Sequence, residues 1–361
     1  MSNEWTFEWL RSWDDVWNPS FVVQWQKWMD QSPDAHVFFE PCIVRAWFET
    51  YRSLRKIEPR FLVANNSSRC TVFYPLILDR CGWKDSWLRI LRPIGFNEFD
   101  YHDPIFHDLQ NEKNHLTFWN ALFRELKSNM SDIDLVIIPR VREQSTTGYK
   151  GFQQTNLSSF LDLTEFRSFD EFVQQLHKQV RQELRRQPRR LEKLGSLSLT
   201  VFGKNERDLA LSILPRFLEA HTLRWPGAYK AQDFFKNLIE YALPEGILHV
   251  SVLESCDTPI SWHIGFLHKR RFYYYVPAFD QTMSTYSPGK VHLGKLIERA
   301  FQNNVDLFDL LTGQEGYKQQ WSKKSIELYS SEIQVPGVLH TLLRKSRALL
   351  RGAAKLDGRA Q

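Results

Sequence analysis

The sequence predicts an α/β (α+β) protein made of two similar units, each a mixed, mainly antiparallel sheet flanked by helices. Three observations carry that prediction. Residues 247–311 run strand meander, loop, helix, strand. Residues 60–141 repeat the order more faintly, and a charged helical segment lies between the two.

In the second unit, "ILHVSVLE" puts Leu248, Val250 and Val252 on one face of a half-buried strand. "SCDTP" is turn chemistry, with Asp257 and Pro259. "ISWHIGFLH" sets Ile260, Trp262, Ile264 and Phe266 against Ser261, His263 and Gly265. "KRR" then turns the chain into "FYYYVPAFD", which completes a three-strand meander. The period changes in "VHLGKLIERAFQNN", where Leu293, Leu296, Ile297, Ala300 and Phe301 recur at helical spacing. Asn303 and Asn304 end that helix, and "VDLFDLL" is a strand.

The first unit repeats the pattern. "RFLVAN", "CTVFYPLIL" and "WLRILRPIG" read as strands, and "FNEFDYHDPIFHDLQNEKN" as a long loop. "HLTFWNALFRELKSN" reads as a helix with Leu116, Trp119, Leu122, Phe123 and Leu126 inside, and "DLVIIPRV" as a strand. The segment "SFDEFVQQLHKQVRQELRRQPRRLEKLG" opens the second unit, and Pro188 is expected to bend it or split it in two. The boundaries that follow are 1–165, 166–336 and a basic tail, 337–361.

A chain of 361 residues has room for two cores, and 42% hydrophobic with 25% charged residues is a globular composition. Thirteen Trp and 26 Phe fit aromatic-walled clefts or bulky core filling. A net charge of +5 is too mild to point to nucleic acid. The four cysteines, Cys42, Cys70, Cys81 and Cys256, include no CxxC pair, which argues against structural zinc and fits free thiols in a reducing cytosol. The chain does not open on a basic segment followed by an apolar one. No apolar run reaches the roughly 18–20 residues that span a bilayer. The expected location is cytoplasmic.

The chemistry concentrates in "FDLLTGQEGYKQQW", 308–321. A plain strand exit needs one Gly and a cap, yet this one supplies Asp309, Thr312, Gly313, Glu315, Tyr317, Lys318 and Trp321. An ionised Asp309 inside an apolar strand is costly unless paired, so it either anchors a hydrogen-bond network or serves as a base of raised pKa. Trp321 reads as core. Gly289 and Lys290 stand just before an amphipathic helix, where the amides of Gly289, Lys290 and Val291 would be unpaired and suited to a phosphate.

The order of elements is that of the GNAT acyltransferase fold. "LRWPGAY" (223–229), "YYYVPAFD" (273–280), "YSPGKVHLGKLIERA" (286–300) and "FDLLTGQEGYKQQW" together resemble the acetyltransferase domain of the CelD-like cellulose-biosynthesis family, a GNAT branch related to the Fem aminoacyltransferases. The resemblance covers most of 166–336. In the first unit "YPLIL", "LRPIG" and "DYHDP" resemble the N-terminal part of the same proteins. It implies tandem GNAT-like domains that move an acyl group from a thioester, or an activated aminoacyl group, to an amine. The phosphate loop departs from the general R/Q-x-x-G-x-G/A pattern, since "SPGKVH" has one glycine where that motif has two.

The resemblance gives acyl-CoA, chiefly acetyl-CoA, as co-substrate, with Ser287, Gly289, Lys290 and Val291 around its phosphates and no metal. Tyr317 is placed to protonate the departing thiolate, and Lys318 to hold a carboxylate or phosphate. The base that frees the acceptor amine is left open among Asp280, Glu315 and His263. "DYHDPIFHD" (100–108) lacks the spacing of a metal frame and reads as a loop lining the acceptor cleft, where Asp100, Tyr101 and His102 would meet sugar hydroxyls, with Arg224 and Trp225 opposite. The run Arg181, Arg185, Arg186, Arg189, Arg190 reads as a solvated helix face, shorter than the arm with which Fem relatives take aminoacyl-tRNA. "LLRKSRALLRGAAK" is basic and amphipathic, and suits the inner face of an anionic membrane or a frayed end. The expected acceptor is an amine on a sugar, polysaccharide precursor or small metabolite. An aminoacyl-tRNA-dependent transferase and a non-catalytic module of a polysaccharide-synthesis complex are the alternatives.

Overall fold

The computed structural model describes residues 5–67, 70–80, 88–107, 113–146, 148–226, 231, 233–313 and 315–335. The tail 337–361 lies outside the described residues, as do Cys81 and part of "LRWPGAY". Cys42, Cys70 and Cys256 are free thiols.

The first half contains β1 (Trp5–Leu10), α1 (Trp13–Val16), α2 (Pro19–Gln31), α3 (Pro41–Tyr51), β2 (Lys56–Asn66), β3 (Thr71–Arg80), β4 (Ile90–Pro93), β5 (Ile105–His107), α4 (Lys113–Asn129), β6 (Leu135–Arg142), α5 (Glu143–Thr146) and β7 (Gln153–Asp162). The second contains α6 (Phe169–Gln175), α7 (Lys178–Glu192), β8 (Leu197–Phe202), α8 (Arg207–Arg224), α9 (Asp233–Ala242), β9 (Leu248–Ser255), β10 (Thr258–His268), β11 (Arg271–Phe279), α10 (Pro288–Gln302), β12 (Leu307–Thr312), α11 (Lys318–Trp321) and β13 (Lys324–Gln334).

The mixed, mostly antiparallel sheet flanked by helices is the architecture the sequence predicts, and the meander–helix–strand order recurs. In each half two parallel strands are bridged by a helix: β4 and β6 by α4, β11 and β12 by α10. All the strands join one sheet, ordered β1-β2-β3-β4-β6-β13-β7-β12-β11-β10-β9-β8, with β5 on β3. The last strand, β13, lies between β6 and β7, and β7 in turn pairs with β12. The two halves therefore share hydrogen-bonded strands.

The helical segment before β8 does split, but not at Pro188. The break falls at Leu176–His177, where the His177 ring caps the new helix by accepting from the Gln179 N–H. Pro188 sits inside α7, which runs on through it. The two sheet faces are distinct in the second half. Phe272, Tyr274 and Phe308 pack against Leu293, Leu296 and Ile297 of α10 on one face. Tyr273 and Ala278 join the cluster of Leu214, Phe217 and Ala220 from α8 on the other.

Candidate active site

The site begins with one residue that bends a strand. Asp309 is buried, and its carboxylate accepts from the Tyr101 hydroxyl (2.8 and 3.0 Å), the Ser158 hydroxyl (3.3 Å) and the Leu311 N–H (2.9 Å). The last bond turns the chain: Leu311 takes a left-handed φ of 60°, and the β12–β7 register breaks between Asp309 and Thr312. A side chain of this kind offers the backbone an alternative to the ladder. On the other side, the parallel β11–β12 pairing stops at Tyr273–Asp309. Beyond that point the two strands part.

The bent end is clamped from several directions. Lys318, almost fully buried, donates from Nζ to the Thr312 (2.6 Å) and Leu311 (3.3 Å) carbonyls and pairs with Glu315 at 3.1 Å. The Thr312 hydroxyl donates to Asp100. Asp100 and Tyr101 thus reach from the first half to hold β12. Burial pushes the Asp100 carboxyl up, against Arg140, Thr312 and Lys318, which favour its charge.

A cleft of about 410 Å³ opens where the strands part. Tyr274–Pro277 and Phe279 of β11 form one wall, and Thr312, Glu315, Tyr317 and Lys318 the other. The start of α10, with Ser287, Gly289 and Lys290, and the end of α8, with His221, Arg224 and Trp225, close its ends. Burial, then the Glu315 charge, drives the Tyr317 phenol pKa upward, and Arg224 opposes that. Tyr317 therefore keeps its proton at neutral pH. Arg224 lies over the rings of Phe279 (4.9 Å) and Trp225 (5.4 Å).

Residues 178–319, which supply both walls of this cleft, match the family described as acetyltransferase (GNAT) domain. The chain carries a GNAT acyltransferase domain. Three solved structures share its overall fold. FemX aligns with TM-score 0.60 and 8% identity, over 86% of this chain and 95% of that one. The C-terminal domain (DUF2156) of a putative lysylphosphatidylglycerol synthetase from Agrobacterium fabrum aligns with TM-score 0.53 and 12% identity, over 91% and 96%. L-PGS from Bacillus licheniformis aligns with TM-score 0.53 and 10% identity, over the same shares. No curated protein sequence matches the chain.

At the start of α10 the GNAT domain differs from the sequence expectation of three unpaired amides. Ser287 adopts a left-handed φ of 51°, and its carbonyl accepts from both Lys290 N–H (3.0 Å) and Val291 N–H (3.2 Å). Pro288 has no N–H, so Gly289 alone offers an amide there. Lys290 is also engaged, by the Glu183 carboxylate of α7. A Cβ on Gly289 would sit 3.3 Å from the Phe279 ring. Val291 is buried and turned to the core.

Ser287, Gly289, Lys290, Thr312, Glu315, Tyr317, Lys318, Arg224 and Trp225 therefore meet at one cleft, and Asp280, His263, Val291, Asp309, Asp100, Tyr101 and His102 do not line it. Asp280 caps the next turn, accepting from the Thr282 N–H (2.9 Å) and hydroxyl (2.7 Å). His263 is fully buried, stacked on Tyr274 with ring centres 4.5 Å apart, near His249 and His292. The polar side of β10 is thus covered by α10. Tyr101 and His102 are fully buried instead of lining an acceptor cleft. The Tyr101 hydroxyl is taken by Asp309 and Ser158 (2.6 Å), and His102 packs beside Phe99 and Phe39. Trp321 is core.

Among the described residues no group of three or more His, Cys, Asp or Glu is placed to hold a metal ion. No helix among them is long and apolar enough to cross a membrane. Sequence reasoning passed over Glu183, His221, Tyr274 and Ser158. Tyr274 stood in a motif already quoted for the resemblance, and the other three carry no local signal.

Proposed function

We propose that the chain transfers an acyl group, chiefly acetyl, from acyl-CoA to the amine of a sugar, polysaccharide precursor or small metabolite. The observation that carries this is the parting of β11 and β12 beyond Tyr273–Asp309, directly beside the first turn of α10. A sheet opened there leaves β11 backbone groups without their β12 partners, ready to pair with the amides of an extended thioester arm. The donor phosphates would meet the Gly289 N–H and Lys290, with Ser287 at the turn. The acceptor class rests on the motif resemblance of 286–321.

The free amine attacks the thioester carbonyl: a C–N bond forms, the C–S bond breaks, and the sulfur leaves. Glu315 takes the proton of the attacking nitrogen, and Tyr317, held protonated by burial, supplies one to the thiolate. Asp309 and Lys318 shape the wall of the cleft. A thermal-shift titration with acetyl-CoA tests the reading. Free donor at 100 times its Kd should stabilise the protein by about 2.7 kcal/mol. No shift up to millimolar acetyl-CoA would refute it.

A further inference from the structure

Among the described residues three cations line the cleft, Lys290, Lys318 and Arg224, and of these Arg224 alone has no carboxylate partner there. Lys290 pairs with Glu183. Lys318 is buried on Glu315 and two carbonyls. Arg224 has no carboxylate partner among the described residues, and its guanidinium stands over the rings of Phe279 (4.9 Å) and Trp225 (5.4 Å). The nearest titratable neighbour on its own helix, His221, is held neutral, its pKa lowered to about 4 by burial and by Arg224 itself. A planar, permanently charged fork on an aromatic shelf is built for a carboxylate or phosphate.

Which substrate brings that anion follows from the two faces of the sheet. The donor phosphates belong at the start of α10, on the face where Leu293 and Ile297 pack. Arg224 ends α8, which packs through Leu214, Phe217 and Ala220 on the opposite face. Arg224 therefore reaches the opening from the helix on the face opposite α10, over the Phe279 ring that Gly289 also approaches. Glu315 stands in the other wall, and both residues act on the Tyr317 phenol, in opposite directions. A carboxylate and a guanidinium flanking one proton donor suit a substrate that carries both charges.

We propose that the acceptor is an amine bearing an oxyanion, a carboxylate or a phosphate, which Arg224 binds while the amine lies toward Glu315. This rests on the acyl-transfer reading above. The reaction balances as before, with the oxyanion unchanged.

The test is thiol release from acetyl-CoA with matched pairs of acceptors, L-alanine against L-alaninamide and glucosamine 6-phosphate against glucosamine. Melting of the CoA-saturated protein with each acceptor gives a second readout. The expected result is at least a tenfold higher kcat/KM for an oxyanion-bearing member. Arg224→Gln should shrink that preference at least tenfold, and Arg224→Lys should restore part of it. Equal response to both members of every pair, by rate and by melting, overturns the inference. So does an Arg224→Gln variant that weakens acetyl-CoA binding as much as acceptor binding, since the anion would then belong to the donor. A wild-type protein that fails to bind acetyl-CoA at all overturns the donor reading instead.

Discussion

Tyr101→Phe isolates the contact by which the first half of the chain shapes the cleft in the second. The hydroxyl donates to both oxygens of Asp309, at 2.8 and 3.0 Å, and neither residue reaches solvent. Removing it leaves a buried carboxylate short of one charge-assisted bond, a loss of about 1.5–3 kcal/mol. At about 2.1 cal/mol/K of unfolding entropy per residue, a chain of 361 residues should lose roughly 2–4 °C in Tm. Tyr74→Phe is the matched control: that hydroxyl is equally buried but has no partner among the described residues, so its removal should be neutral or slightly stabilising. Ser158→Ala should couple with Tyr101→Phe in a double-mutant cycle, because the two hydroxyls share Asp309 and touch each other. With β12 less firmly bent, acetyl-CoA affinity should fall as well. Differential scanning fluorimetry gives the stabilities, and calorimetric titration the affinity. If Tyr101→Phe melts no lower than Tyr74→Phe, the claim that Asp309 needs its partner from the first half is wrong.

The remaining predictions concern pH and the cleft itself. The buried His292 ring, held to about 3 by burial and His249, donates from Nδ1 to Ser261 and accepts at Nε2 from Ser251, both at 3.0 Å, given that the Ser261 proton goes to the Ala278 carbonyl. Its folded pKa lies below the unfolded value of about 6.5, so the unfolded chain binds more protons and stability falls with pH below that value, by about 1.4 kcal/mol at pH 5.5 from this group. His249 and His263 are shifted in the same direction and should add to the slope; urea denaturation between pH 7.5 and 5 measures it, and a flat profile contradicts the assignment. Gly289→Val, which presses on Phe279, should nearly abolish CoA binding, and Lys290→Ala should weaken it, while Glu183→Gln, by freeing Lys290, should strengthen it; isothermal titration reads all three. Tyr317→Phe should lower kcat with little change in Tm, and a variant that keeps full activity would remove Tyr317 as the acid.

The parts legible in the sequence are those governed by local periodicity. β9, β10, β11, α10 and β12 each announce themselves, because alternation and helical spacing are properties of a few consecutive residues. Asp309 was also legible as a problem, a carboxylate in an apolar run, since desolvation makes any such group demand partners. Its partners were not, because Tyr101 and Ser158 lie 208 and 151 residues away. The same distance effect misplaced Asp100, Tyr101 and His102. A run of polar groups in a loop looks solvent-facing until the strand it braces is known. At α10 the difference is smaller in scale. "SPGK" gives no warning that Ser287 turns left-handed and consumes two of the three expected amides with its own carbonyl.

The pairing of the two halves was the least legible feature, for a reason visible in β7. Its sequence, "QQTNLSSFLD", is exposed along its first half and buried only at Ser158 and Leu161, so no apolar alternation marks it as a strand. Yet it is hydrogen-bonded on both sides, to β13 and to β12. Main-chain pairing needs no apolar side chains, and a strand can be central in a sheet while its side chains remain wet. That position is also what brings Ser158 against Asp309 and fixes where β12 leaves the ladder. Because β13 is held between β6 and β7, the strand that follows the cleft is anchored in the sheet of the first half. Both ends of the segment 309–324 are thus tied to residues outside the second half's own meander: Asp309 to Tyr101, and Lys324 to the β7 end through its ion pairs with Asp162 and Glu165. The loop carrying Glu315, Tyr317 and Lys318 is short and clamped at its two ends. Through these ties the first half braces the wall of the cleft.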